Sequence, residues 1–154
     1  MTSSYVVHPN VDLDAVACLT ACGAAIDEIT FVSSAETPPL GCRVLDHPAG
    51  EKGRLDPDGI RHAALCSLPE GAAWPQALRD EIDEQDSTGR VVAPRFSLPA
   101  ILAGLKAELR EECDLSGAAL DLAVYEAMRP VLLGLVRIAK QREKAEAALA
   151  EVRI

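Results

Sequence analysis

The segment His8-Pro9-Asn10-Val11-Asp12-Leu13-Asp14 places one imidazole and two carboxylates within seven residues. It follows residues 4–7, an apolar and β-branched run that is typical of a buried strand. Open α/β sheets bind ligands at the carboxyl ends of their strands, and mixed nitrogen and oxygen ligands suit Mn²⁺, Mg²⁺, Fe²⁺ or Zn²⁺. His8, Asp12 and Asp14 are therefore candidate metal ligands. The alternative is that Asp12 or Asp14 only caps a helix and that His8 is an ordinary polar residue.

A second pair of an acid and an imidazole, Asp46-His47, directly follows another apolar run, residues 41–46. The carboxyl ends of parallel strands meet at one edge of a sheet, so both polar segments are expected at the same edge. This coincidence strengthens the prediction of a metal site and adds Asp46 to its candidate ligands.

Two further features could complete such a site. The acidic run at residues 83–86 stands near the end of a predicted helix, and Asp83 or Asp86 could supply a carboxylate; an acidic helix surface is the alternative reading. His62, the last of the three histidines, could be a ligand, a general acid or a core residue.

The glycine-rich residues 48–54 contain two cations, Lys52 and Arg54, and a third, Arg61, follows soon after. Such side chains can neutralise phosphate oxygens, and the backbone at Gly50 and Gly53 can approach a ligand closely. Each of the three could equally be a solvated surface charge.

The elements that must position these residues can be predicted from the pattern of apolar residues. Strands are expected at residues 4–7, 28–33 and 41–46, with a helix at 14–25 between the first two. Strand, helix and strand in this order indicate a βαβ unit, and so an α/β fold with a mainly parallel sheet flanked by helices. Further along, residues 59–68 are expected to form a short helix or strand, and helices are expected at residues 74–85 and 98–112.

Residues 115–152 show helical periodicity, with Pro130 inside the apolar pattern. Proline removes a backbone hydrogen bond and clashes with the preceding turn, so we expect two helices or one kinked helix. The tail at residues 140–151 alternates charges around apolar positions. It is either a solvated helix or a helix that packs on a partner subunit in a homo-oligomer.

The length of 154 residues suits one domain, with the motifs in residues 4–112 and C-terminal helices in residues 115–152. The net charge of −9 disfavours long nucleic acid as a partner, because the field of the whole chain repels polyanions. Attraction of a phosphate ester would have to be local, from a bound dication and a few Lys and Arg residues.

The five cysteines are odd in number, form no CxxC pair and follow no secretory signal, which favours a reducing cytoplasm. Cys18 and Cys22 are expected to pack in the core rather than to bind zinc, since a zinc site needs more partners. No run approaches the roughly 20 apolar residues that a membrane span requires.

The segment VVHPNVDLDAVA resembles motif I of the DHH phosphoesterase superfamily. Later in the chain, LDHP resembles the Asp-His motif of that superfamily, and EIDEQDSTG resembles the motif that supplies a further aspartate. The resemblance covers roughly residues 4 to 105 and is close only in motif I. One departure is Pro48, which stands where the namesake motif has its second histidine.

The resemblance implies a parallel sheet flanked by helices and one or two bound Mn²⁺ or Mg²⁺ ions. It implies that His8, Asp12 and Asp14 are metal ligands and that Asp46 is a bridging or second-site ligand. Asp86 or Asp83 would bind from the opposite side. It also implies that His47 is a ligand or donates a hydrogen bond to the scissile phosphate.

The resulting prediction is a divalent-metal-dependent phosphoesterase that hydrolyses a small phosphoester or nucleotide. In this scheme His47, Lys52 and Arg54 stabilise the charge that develops on the phosphoryl group. The alternative, supported by the missing second histidine, is a DHH-like binding or regulatory module that is catalytically weak or inactive.

Overall fold

The computed structural model describes residues 4–46, 74, 78–82 and 97–152. Three short strands form a parallel sheet: β1 (Tyr5–Val7), β2 (Ile29–Phe31) and β3 (Arg43–Asp46). Their order is β2-β1-β3, so β1 lies in the centre. Three helices accompany the sheet: α1 (Leu13–Cys22), α2 (Leu98–Glu111) and α3 (Gly117–Val152). The predicted α/β class with a parallel sheet and flanking helices is confirmed.

Helix α1 begins and ends at residues whose types favour those positions. The Asp12 side chain accepts a hydrogen bond from the Ala15 backbone N–H at 2.8 Å and so caps the N-terminus. Gly23 follows the helix with φ at 67°, the left-handed conformation that glycine adopts without steric cost. Gly23 therefore ends the helix earlier than the predicted boundary at residue 25.

The second strand is shorter than predicted because a turn of 3₁₀ helix, Ile26–Glu28, occupies its expected start. The Glu28 carboxylate accepts a hydrogen bond from the Ala25 backbone N–H at 3.0 Å, which closes this turn on itself. The chain becomes extended only at Ile29, where it pairs with Tyr5 of β1.

Residues 78–82 are helical, inside the helix predicted for residues 74–85, whereas Trp74 is not helical. The Glu81 carboxylate accepts a hydrogen bond from the Leu98 backbone N–H at 2.9 Å. Ser97 caps α2 by accepting from Ala100 N–H at 3.4 Å. These contacts tie residues 78–82 to the start of α2. The predictions for residues 48–54 and 59–68 lie outside the described residues.

Helix α3 runs without a break through Pro130, so the two-helix alternative is wrong. The carbonyl that Pro130 leaves without its helical donor belongs to Glu126, and both residues are exposed, where water can hydrate that carbonyl. Buried residues on both sides, Met128 and Leu132 among them, hold the helix against the rest of the molecule. Packing of the two flanking turns thus outweighs the local effect of proline.

The core lies between the sheet, α1 and the first half of α3. Residues 13–20 of α1 are all buried, and α1 contacts both β3 and α3. From α3, Tyr125, Met128 and Leu132 are at most 1% exposed. Within the described ranges, no helix has the length and apolar character that a membrane crossing requires.

Candidate functional site

The candidate site is the loop of residues 8–12, which leaves the central strand β1 and enters α1. Because β1 has a parallel neighbour on each side, this loop stands at the middle of the carboxyl edge of the sheet. The chain goes from β1 to β2 on one side, and β3 lies on the other. Ligand-binding crevices in α/β sheets form where the strand order reverses in this way.

A buried carboxylate from α3 fixes the conformation of this loop. Asp121 is 3% exposed, and it accepts hydrogen bonds from Asn10 N–H at 3.0 Å and from Val11 N–H at 2.9 Å, one on each carboxylate oxygen. Asn10 has φ at 59°, a left-handed conformation that asparagine tolerates better than most residues. The turn that presents His8 and Asp12 is therefore held from both ends, by β1 and α1, and in its centre by α3.

His8 and Asp12 approach each other across the loop. The His8 Nε2 atom lies 3.6 Å from Asp12 Oδ2, with the histidine side chain 21% and the aspartate side chain 40% exposed. Asp12 uses its other oxygen, Oδ1, to cap α1. The helix-cap alternative is thus correct for Asp12, whose Oδ1 atom is the capping oxygen. The second oxygen faces the imidazole at an accessible position.

The tautomer of a neutral His8 ring follows from its other nitrogen. His8 Nδ1 lies 2.7 Å from the Pro9 carbonyl oxygen, which can only accept, so we assign a proton to Nδ1. In the neutral ring, Nε2 then directs a lone pair toward an anionic oxygen. A second proton on the ring or a bound cation between the two atoms would make this approach favourable.

The spacing of these two atoms fits a metal ion. Two atoms that bind one ion with bonds of about 2.1 Å lie no more than about 4.2 Å apart, and 3.6 Å satisfies this limit. Across residues 4–46, 74, 78–82 and 97–152, no group of three or more His, Cys, Asp or Glu side chains is placed to hold a metal ion. His8 and Asp12 are therefore the two proposed donors in this loop, and further ligands stay a prediction.

Asp14 occupies a different environment from the other two predicted ligands. It lies in the first turn of α1 and is only 2% exposed. A carboxylate in the first turn is stabilised by the positive end of the helix dipole. Its predicted role as a ligand stays a prediction.

The end of β3 lies beside this loop. Asp46 pairs with Val7, the last residue of β1, after an irregularity in the register that leaves Leu45 as an extra residue in β3. Bulges of this kind commonly stand next to active sites, where they change the direction of the following side chain. The backbone therefore brings Asp46 to the level of the residue before His8, as the sequence predicted. The side chain of Asp46 lies outside the described part.

The remaining predicted residues belong to parts of the chain that the structure does not describe. They are the catalytic candidates His47, Lys52 and Arg54, the metal candidate Asp86, and the secondary candidates His62, Asp83 and Arg61. Their roles stay predictions.

Lys106 of α2 is a site residue that the sequence analysis missed. Its Nζ atom donates a hydrogen bond to the Asn10 side-chain oxygen at 3.3 Å, across 96 positions of the chain. Burial lowers the pKa of Lys106, and the nearby Asp121 and Asp12 carboxylates offset part of that effect. A half-buried ammonium group thus stands beside the loop that carries His8 and Asp12.

The sequence analysis missed Asp121 as well as Lys106, although helical periodicity carries a signal for both. Lys106 follows the buried Leu102 by four positions, and so lies on the inward face of α2. Asp121 precedes the buried pair Val124 and Tyr125 by three and four positions on α3. A charged residue on an apolar helix face is unusual unless another group pairs with it.

No protein-family model, curated protein or solved structure matches the chain. The resemblance to the DHH superfamily consequently remains a prediction from its motifs.

Proposed function

We propose that this chain is a divalent-metal-dependent phosphoesterase that hydrolyses a small phosphoester or nucleotide with Mn²⁺ or Mg²⁺. The observation that carries the proposal is the His8–Asp12 pair, whose donor atoms lie 3.6 Å apart in a fixed loop at the centre of the carboxyl edge. The pair supplies a nitrogen and an oxygen donor, a set that divalent cations accept. Asp14, Asp46 and Asp86 are the proposed additional ligands.

A bound divalent ion would supply a water whose pKa is lowered toward neutrality, and so a hydroxide able to attack phosphorus. The side chains of the protein would position the ester and balance its charge. His8 and Asp12 would hold the ion in the loop. Lys106, at 3.3 Å from Asn10, adds a cation on the α2 side, and His47, Lys52 and Arg54 are further proposed cations or donors.

The reaction would form a bond from phosphorus to the oxygen of water and break the bond from phosphorus to the alcohol oxygen. The alcohol takes up a proton as it leaves. The net charge of −9 favours a small substrate that can reach a local positive site over a long polyanion. A reducing, cytoplasmic location is part of the proposal, and none of the four described cysteines forms a disulfide.

The test uses Asp12→Asn, because asparagine caps helices as well as aspartate does while lacking the anionic ligand. Wild-type protein should show a higher Tm with Mn²⁺ and Mn²⁺-dependent release of p-nitrophenol from bis(p-nitrophenyl) phosphate. At an ion concentration of 100 times Kd, binding stabilises the fold by about 2.7 kcal/mol. Asp12→Asn should lose both effects while keeping its Tm in the absence of metal.

The matched control is Glu36→Gln, which removes an exposed carboxylate from the loop before β3 and should retain both effects. Turnover that survives in Asp12→Asn would overturn the assignment. A Tm shift that depends on Asp12 without any turnover would instead support the binding or regulatory module, the alternative that Pro48 suggests. Absence of both effects in the wild type would exclude a metal site at this loop.

A further inference from the structure

The second half of α3 extends beyond the packed core. Val136 is the last buried residue of this helix, and every residue from 140 to 152 is exposed. At about 1.5 Å per residue, the part after Val136 is roughly 24 Å long. Most helical stability in proteins comes from packing of an apolar face, and this part of α3 has none of its residues buried.

This exposed part carries a regular apolar pattern. Residues separated alternately by three and four positions lie along one side of the helix, and we call them the heptad stripe: Leu135, Ile138, Arg142, Ala145, Leu149 and Val152. Ile138, Leu149 and Val152 are 48%, 52% and 80% exposed. Alternating spacings of three and four residues are the pattern of a coiled coil, in which one helix packs its stripe on that of another.

Charge along the same part of the helix is divided between two halves. Residues 137–144 hold four cations and one carboxylate, Glu143, whereas residues 145–152 hold two carboxylates, Glu146 and Glu151, and no cation. The basic half stands out in a chain of net charge −9. Two copies of this helix in antiparallel orientation place each basic half beside the acidic half of the other copy. A parallel pair would place like charges together.

Arg142, the charged member of the heptad stripe, favours the same orientation. In a parallel pair, the two Arg142 side chains would face each other at one layer, with unfavourable repulsion. In an antiparallel pair centred between positions 142 and 145, Arg142 faces Ala145 of the second copy. The small alanine leaves room for the arginine stem, and the guanidinium can reach solvent.

We propose that the heptad stripe is a homodimer interface in which two copies of α3 pair as an antiparallel coiled coil. The layers of this pair are Leu135 with Val152 of the second copy, Ile138 with Leu149 of the second copy, and Arg142 with Ala145 of the second copy. This interface lies on the half of α3 that is distant from the Asp121 contact, so the proposal is independent of any phosphoesterase activity.

The experiment compares two substitutions of the same kind by sedimentation equilibrium between about 1 and 100 µM. Ala145→Lys places a cation in the stripe, opposite Arg142 of the second copy, and should weaken the dimer by at least tenfold in Kd. Ala147→Lys, two positions away and off the stripe, should leave Kd unchanged. Both variants exchange exposed alanine for lysine, and equal far-UV circular dichroism would show equal helix content.

A double variant tests the orientation. Arg142→Glu combined with Ala145→Lys restores opposite charges between facing positions only when the helices are antiparallel. It should recover dimerisation that Ala145→Lys alone has lost. Failure to recover it, with wild-type helix content, would overturn the antiparallel register.

Other outcomes would overturn the interface itself. A monomeric wild type at 100 µM, or a dimer that neither lysine substitution weakens, is incompatible with pairing through the heptad stripe. Because the stripe adjoins a basic segment, co-sedimentation with vesicles of phosphatidylcholine and phosphatidylserine is measured in parallel. A monomer that binds these vesicles would assign the surface to a membrane instead of to a second copy.

Discussion

Replacement of Asp121 should show how far the candidate site depends on a contact from the far end of the chain. In Asp121→Ala, the N–H groups of Asn10 and Val11 lose their acceptors at 3.0 and 2.9 Å. A hydrogen bond to a charged group contributes about 1.5–3 kcal/mol. Val11 is fully buried, whereas Asn10 is exposed and its N–H can gain a water. We therefore expect a loss near the lower end of the summed range, about 3–4 kcal/mol.

Asp121→Asn separates the two hydrogen bonds. Its amide keeps one oxygen as an acceptor but turns an NH₂ group toward the other backbone N–H, where two donors meet. The expected loss in the free energy of unfolding is about 2 kcal/mol, which is smaller than that of Asp121→Ala. Glu126→Ala, an exposed carboxylate on the same helix, is the control and should change stability by less than about 0.5 kcal/mol.

The assay is urea unfolding followed by far-UV circular dichroism, together with hydrogen exchange of the Val11 amide. Asp121→Ala should both lower the free energy of unfolding and speed exchange at Val11. A stability within 0.5 kcal/mol of the Glu126→Ala control would refute it. So would a large loss of stability with unchanged protection of Val11, since the loss would then arise elsewhere than in the loop.

Four further substitutions have definite expected results. Tyr125→Phe removes the hydroxyl that donates to Ala24 O at 2.6 Å and should cost about 1–3 kcal/mol in urea unfolding; a change below 0.5 kcal/mol would contradict this. Gly23→Ala should lower the free energy of unfolding by about 1–2 kcal/mol, because Gly23 has a left-handed φ of 67°. Gly104→Ala, inside α2 with open space around it, should instead raise it by about 0.5–1 kcal/mol. Equal effects of the two substitutions would be inconsistent with a conformational cost specific to Gly23. Burial lowers the pKa of Lys106 in the folded protein below its usual 10.5. Between the folded and the unfolded pKa the unfolded chain binds more protons, so stability should rise with pH in that window. Lys106→Met should remove this part of the rise, and identical pH profiles of Tm for the variant and the wild type would contradict the prediction.

The sequence predicts well those features that nearby residues determine. The strand before His8 and the cap at Asp12 both depend on groups within four residues of one another, so their signals are local. The placement of Asp46 at the edge beside β1 also follows from strand order, because parallel strands align their carboxyl ends.

Features that depend on distant parts of the chain escaped the sequence analysis. The Asp121 carboxylate reaches Val11 across 110 positions, and no local pattern specifies which backbone groups a buried acid will meet. Pro130 shows the opposite case: of the two alternatives that proline allowed, tertiary packing of Met128 and Leu132 on either side favours a single continuous helix over two. Periodicity could have indicated that Lys106 and Asp121 face inward, but not that they meet the same loop.

The two long-range contacts of α3 also have a consequence for the order of folding. Asp121 holds the loop before α1, and Tyr125, one turn later, holds the carbonyl of Ala24 just after α1. During synthesis, β1, α1, β2 and β3 all emerge before either side chain exists. The loop that carries His8 and Asp12 can therefore reach its final geometry only after residue 125 has been made and docked. Contacts of such sequence separation are slow to form because a long loop must be closed first, so acquisition of the candidate site should be a late event in folding.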